Sequence, residues 1–115
     1  RALLWRRFAA RQVVHHVLIF AVPHGERRKV VGETDGFLAG YVPGNTWTTY
    51  DPGFAKRLPK GHDLIFQIHY TPNGTETKDQ CELGLRYVKT APKYEIRTFG
   101  LENFNRSEER RVGKE

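Results

Sequence analysis

Methionine is absent from this chain of 115 residues, and Cys81 is the only cysteine. The chain therefore has no thioether to bind a metal, and it can form neither an internal disulfide nor a cysteine-rich zinc site. No apolar run approaches the length of about 20 residues that a membrane-spanning helix needs. Catalytic-triad, phosphate-loop and dinucleotide-binding signatures are also missing. These absences exclude several common classes of site and leave histidine as the most informative side chain.

The net charge of +6 is concentrated at the N-terminal end. Residues 1–12 contain four arginines and no acidic residue, so +4 of the charge lies there, whereas residues 13–105 contain 11 basic and 10 acidic residues. The body of the chain is therefore nearly neutral, unlike a typical nucleic-acid-binding domain. We expect neither nucleic acid nor a membrane as a partner.

Short apolar segments that alternate with polar residues dominate the chain after residue 12. Turn signals interrupt them about every 8–12 residues, and no helical period survives, which predicts an antiparallel β-sandwich or barrel. The predicted strands are Val13–Phe20, Phe37–Val42, Leu64–Tyr70, Cys81–Val88 and Tyr94–Phe99. In the third of these, alternation predicts a core face made of Leu64, Phe66, Ile68 and Tyr70.

The two ends of the chain depart from this pattern. Residues 1–12, RALLWRRFAARQ, fit either a short amphipathic helix or a leading segment that matches the domain poorly. Residues 106–115, RSEERRVGKE, change abruptly to charged residues and resemble read-through of sequencing-adapter sequence. They are interpreted as a non-native tail, with an ordinary charged terminal helix as the alternative. The predicted domain is therefore 13–105.

Two adjacent histidines stand out within the first predicted strand. His15 and His16 lie in the apolar run VVHHVLIF, where burying two imidazoles without partners would be costly. The simplest explanation is that one faces the core and the other faces water. A shared metal ion is the alternative. It requires a bulge, a twist or a strand end, because neighbours on a regular strand point to opposite faces.

A third histidine lies on a distant predicted strand, in LIFQIHY. Alternation places His69 on the face opposite the core, together with Gln67. His15, His16 and His69 are therefore candidate ligands for one ion, and three neutral imidazoles with open coordination positions suit copper or zinc. Two histidines in polar turns are expected to be exposed and outside the site: His24 and His62.

The motifs VVHHVLIF and LIFQIHY, in this order, resemble the first copper domain of the copper type II, ascorbate-dependent monooxygenases. Peptidylglycine alpha-hydroxylating and dopamine beta-monooxygenases belong to that family. The linking stretch, with GYVPGN, GFAKRLPKG and HYTPNGT, is similar to bacterial multidomain relatives. The resemblance covers approximately residues 13–105. It implies a jelly-roll-like antiparallel β-sandwich that is incomplete at one or both ends.

The resemblance also implies one copper ion on His15, His16 and His69, with Gln67 and Tyr70 supporting the ligands from beside them. In that family the first domain passes electrons from a reductant such as ascorbate to a second copper domain, where oxygen is activated and a C–H bond is hydroxylated. Here no His-x-His motif follows His69, and methionine is absent, so the oxygen-activating domain of that family is not expected within this fragment.

The expected function is therefore electron transfer within a copper-dependent monooxygenase. We expect no catalytic residue in this fragment and no activity from it alone. Its expected partners are the second copper domain of the same polypeptide and a small reductant, in an extracytoplasmic (periplasmic or secreted) location.

Two alternatives from other functional classes are left open by the residues. One is a non-catalytic β-sandwich binding module with structural histidines, in which the aromatic side chains bind a sugar: Trp47, Tyr50 and Tyr41. The other is a three-histidine zinc site with a hydrolytic role, since three imidazoles and a water molecule complete such a site.

The charged tail generates the first testable prediction. Deleting residues 106–115 should leave the thermal unfolding midpoint unchanged within error, because the segment does not continue the alternating apolar pattern. Differential scanning calorimetry of the full and shortened chains measures this directly. A clear drop in the midpoint would show that the tail is part of the native fold.

Overall fold

The chain forms eight β-strands in the computed structural model, which describes residues 12–26, 36–45 and 47–100 together with the backbone of residues 4–8. No helix occurs among these residues, and none is therefore long and apolar enough to cross a membrane. In chain order the strands are β1 (Leu4–Phe8), β2 (Val14–Pro23), β3 (Phe37–Tyr41), β4 (Trp47–Thr48), β5 (Phe54–Lys56), β6 (His62–Tyr70), β7 (Cys81–Gly84) and β8 (Tyr94–Ile96).

The strands are arranged in three small sheets with the orders β4-β1-β7, β3-β2-β6 and β5-β8. Every pairing in the two three-stranded sheets is antiparallel, and β5 pairs with β8 in parallel. The prediction of an all-β, mostly antiparallel fold is therefore confirmed. The five predicted strands all exist, although β7 and β8 end earlier than expected.

Three strands were not anticipated, and one of them corrects a prediction. The short amphipathic helix considered for residues 1–12 is wrong for Leu4–Phe8, which forms β1 between β4 and β7. Pairing with two neighbours satisfies the backbone of β1 on both sides, and such tertiary context overrides weak local helix propensity. The prediction for residues 106–115 lies outside the described residues.

Strand β2 is the centre of the core. Val17 and Ile19 are completely buried, and Val22 is 1% exposed. Their strand pairs with β3 on one side and β6 on the other, and residues 19–22 are all buried, so both faces of β2 are covered there, which explains the nearly continuous apolar run. Cys81 and Leu83 of β7 pack against this cluster, so the sheet containing β7 faces the sheet containing β2.

The predicted core face of β6 is only half correct. Leu64 and Ile68 pack against the buried cluster, as expected. Phe66 and Tyr70 are 38% and 45% exposed, so they do not belong to the core. In the described part of the chain β6 is an edge strand that pairs only with β2, and the side chains of Phe66 and Tyr70 are in contact with solvent.

Gly36 immediately precedes β3 and lies against the backbone of β2. Its carbonyl accepts a hydrogen bond from the Ala21 amide at 2.8 Å, and its φ of +80° is in the left-handed region. A Cβ at this position would overlap the Ala21 carbonyl oxygen. Glycine is therefore needed here both for its backbone conformation and for the close approach of the two chains.

This close approach predicts different costs for two similar substitutions. Gly36→Ala should lower the free energy of unfolding by more than the roughly 1–3 kcal/mol expected for left-handed strain alone. Gly74→Ala is the matched control, since Gly74 has a φ of +81° but open space where its Cβ would lie. Urea unfolding of both variants measures the difference, and equal losses would contradict the steric argument.

Candidate metal centre

The site lies where β2 carries one residue more than its partner strand. Val14 pairs with Tyr70 and His16 pairs with His69, so two steps along β2 match one step along β6. His15 is the additional residue, which makes this a β-bulge. The Thr71 amide donates to the Val13 carbonyl at 2.7 Å, so the pairing continues beyond the bulge.

The bulge answers the geometric objection to adjacent histidines as joint ligands. His16 and His69 share a face because they are directly opposed in the ladder, where Cβ atoms are about 4.5–5.5 Å apart. A regular strand would turn His15 to the other face, but the extra residue redirects its side chain towards the same side.

The three imidazoles form a nearly equilateral group. Their ring centroids are 5.1 Å apart for His15 and His16, 5.0 Å for His15 and His69, and 4.7 Å for His16 and His69. The Nδ1 atoms of His15 and His16 are 2.9 Å apart, and one ligand nitrogen from each of the three rings lies within 4.8 Å of the others. Within the described residues, these are the only three metal-ligating side chains that come together in this way.

The His15–His16 nitrogen separation and the ring-centroid distances fit a shared ion of the size of copper or zinc. Imidazole nitrogens bind such ions at about 2.0–2.1 Å, so two ligands at a right angle are about 2.9 Å apart, and ring centroids at angles of about 90–120° are roughly 4.5–5.4 Å apart. The Nδ1 separation of His15 and His16 and all three centroid distances agree with these values. The nitrogen of the third ring lies up to 4.8 Å from the others, farther than the roughly 4.2 Å that two bonds to one ion can span, so the rings would have to move closer to share an ion.

The electrostatic environment keeps the group suitable for binding a cation. Desolvation lowers the pKa of His16, and the neighbouring imidazoles of His69 and His15 lower it further, because a second positive charge so close would be unfavourable. The lowered pKa favours the neutral form of His16, the form in which imidazole binds metals. His15 and His69 are exposed and His16 is half-buried, so the open side of the group faces solvent.

The two residues expected to support the ligands lie on the same strand as His69. Gln67 is half-buried and pairs with Leu18, on the histidine face of β6. The Tyr70 hydroxyl donates to the Asp79 carboxylate at 3.2 Å, and the pKa of Tyr70 is raised, mainly by desolvation and then by this carboxylate. A supporting role for Gln67 and Tyr70 at the metal stays a prediction.

His24 and His62 lie at the opposite end of the β2–β6 pair and do not belong to the three-histidine group. His24 is exposed, as expected, but it is not without a partner. Its Nδ1 lies 2.9 Å from the nearer Asp63 carboxylate oxygen, and the Gly25 amide donates to the same carboxylate at 3.1 Å. This ion pair could not be predicted from the sequence, because its partners are 39 residues apart and only the strand register brings them together.

The three aromatic side chains considered for sugar binding differ in their exposure to solvent. Tyr41 is 3% exposed and belongs to the core, so its proposed role at the surface is wrong. It pairs with Val17 on the central strand, where a large apolar ring is well accommodated. Trp47 is exposed, and Tyr50 is half-buried, with its pKa raised by desolvation.

No family model, no curated protein and no solved structure matches this chain. The established findings are therefore an all-β domain and a three-histidine group that could hold a metal ion. The resemblance to the copper monooxygenases rests on the two histidine motifs and the stretch between them.

The ion pair between His24 and Asp63 predicts a measurable pH dependence. Asp63 raises the pKa of His24 above its ordinary value of 6.5, and His24, with the Gly25 amide, lowers the pKa of Asp63 below 3.8. The stabilisation from His24 is therefore complete below pH 6.5 and is lost as the pH rises through its raised pKa. The stabilisation from Asp63 is present above pH 3.8 and is lost as the pH falls through its lowered pKa.

An NMR titration of the His24 ring protons should give a pKa above that of a model histidine peptide. In the Asp63→Asn variant this pKa should return towards 6.5, because the main cause of the shift is removed. An unchanged value in the variant would contradict the ion pair.

Proposed function

We propose that this chain is the electron-transferring copper domain of a copper-dependent monooxygenase of the type II, ascorbate-dependent class. The observation that carries the proposal is the bulge in β2, which directs His15 and His16 to the same side as His69. Two sequence motifs that are each unspecific are joined by this geometry into one group of ligands.

Each histidine has a separate part in holding the ion. His15 and His16 would offer adjacent nitrogens from one strand, and their separation of 2.9 Å is compatible with binding one small cation. His69 offers the third nitrogen from β6, so occupancy of the site ties the two strands together across the bulge. Copper would supply a one-electron couple between Cu(I) and Cu(II) when it is bound there.

The exposure of the group supports a role in electron transfer. His15 and His69 are open to solvent, so a small reductant can approach the ligands directly. The proposed partners are therefore a soluble reductant such as ascorbate and a second copper domain of the same polypeptide. An extracytoplasmic location, periplasmic or secreted, is part of the same proposal.

Removal of one ligand should weaken copper binding. His69→Ala should lower the affinity for Cu(I) by more than about tenfold, because two nitrogens remain where three were present and even changes beyond the direct ligands cost 10–100-fold in other metal sites. An anaerobic competition titration with a chromophoric Cu(I) chelator measures the affinity.

His62→Ala is the matched control, since His62 lies on the same strand but outside the group. Equal affinities in the wild type and both variants would contradict the site. The same titration with Zn(II) distinguishes the alternative, because retention of Zn(II) in the presence of excess copper would favour a zinc site.

The isolated chain should be redox-active but catalytically incomplete. Loaded with Cu(II), it should be reduced by ascorbate, observed as loss of the electron paramagnetic resonance signal, and reoxidised in air. It should hydroxylate no substrate, since the family's second copper site uses a methionine that this chain lacks. Substrate-coupled oxygen uptake by the isolated chain would overturn the assignment as half of an enzyme.

A further inference from the structure

A second candidate site, separate from the three histidines, lies at the junction of the β5–β8 pair and the segment that follows β7. An open cleft of about 620 Å³ is lined by Pro52, Gly53 and the continuous stretch 86–92. The Gly53 carbonyl accepts hydrogen bonds from the amides of Lys93 and Tyr94, at 2.7 and 2.9 Å. These two bonds fix one wall of the cleft against the other.

The charge of the cleft has one sign. Arg86 and Lys89 both line it, and no acidic side chain does so among the described residues. Neither cation forms an ion pair with any residue that the structure describes. An anion would therefore meet two uncompensated positive charges, one of them a guanidinium that can bind a carboxylate through two parallel hydrogen bonds.

The remaining lining of the cleft is mostly apolar and includes an aromatic ring. Tyr87 is 71% exposed, and Val88, Ala91 and two prolines complete the walls. Phe54 and Tyr94, which follow Gly53 and Lys93 in the paired strands β5 and β8, stack with centroids 4.8 Å apart. Flat apolar surface beside a few polar groups is characteristic of small-molecule sites, where the apolar part binds and the polar groups orient.

We propose that this cleft binds a small ring compound that carries one carboxylate, with the carboxylate on Arg86 and Lys89 and the ring against Tyr87. The exposed Arg86 and Lys89 suit a carboxylate and the flat apolar wall suits a ring, while inorganic phosphate is the competing anion in the test below. Two sources share this chemistry, a sugar acid and an aromatic acid. The proposal is independent of the metal centre, since none of the three histidines lines the cleft.

The test is a titration of the copper-free full chain with glucuronate and with benzoate at low ionic strength, followed by NMR chemical-shift changes. Both acids, or one of them, should perturb the resonances of residues 86–92, and glucose and inorganic phosphate should bind more weakly. Tighter binding of glucuronate identifies a sugar acid, and tighter binding of benzoate identifies an aromatic acid.

Variants assign the contacts. Arg86→Gln and Lys89→Gln should each weaken binding about three- to tenfold, and added salt should weaken it further, because the charges are exposed. Tyr87→Ala should weaken the binding of both acids. Lys60→Gln, which removes an exposed positive charge outside the cleft, should leave affinity unchanged.

Three results would overturn the proposal. They are unaltered affinity in the Arg86→Gln, Lys89→Gln double variant, binding of glucose or phosphate as strong as that of either acid, and absence of binding by both acids. Because every measurement is made without copper, failure here is distinguishable from failure of the metal centre.

Discussion

The candidate metal centre depends on a single extra residue in the pairing of β2 with β6. Side chains on a strand alternate between faces, so one inserted residue changes the direction of whatever follows it. At His15 this places two consecutive imidazoles on one side and leaves the apolar residues after them in register with the core. The metal-binding geometry and the packing of the domain are therefore fixed by the same irregularity.

The buried part of β2 holds that irregularity in place. A slip of one residue would exchange the faces of the whole strand and carry Val17 and Ile19, both fully buried, away from the core. The energetic cost of exposing these side chains opposes any register in which the histidines separate. The three imidazoles are thus positioned by apolar packing, which is the arrangement that would give a metal site a defined geometry.

The sequence predicted the elements of the site more completely than their arrangement. The apolar runs around His15 and His69 were sufficient to locate β2 and β6, because strong alternation and β-branched residues identify strands locally. The sequence showed only that a shared ion would require a bulge, a twist or a strand end at the histidines. The bulge itself could not be predicted, because it is a property of two paired strands. The same limitation explains why the pairing of β1, the parallel β5–β8 contact and the His24–Asp63 ion pair were missed: each joins segments distant in sequence.

The composition of the histidine group also bears on which chemistry it supports. A hydrolytic zinc site commonly uses a carboxylate or similar base to take a proton from bound water. The ligand cluster, within the described part of the chain, consists of three imidazoles and contains no carboxylate. Transfer of a single electron needs no such base. It needs ligands that hold the ion in both oxidation states and a surface from which a reductant can approach, and the exposed imidazoles of His15 and His69 provide such a surface. The composition of the group is therefore compatible with the proposed electron transfer, and it is equally that of the three-imidazole zinc sites that activate a bound water.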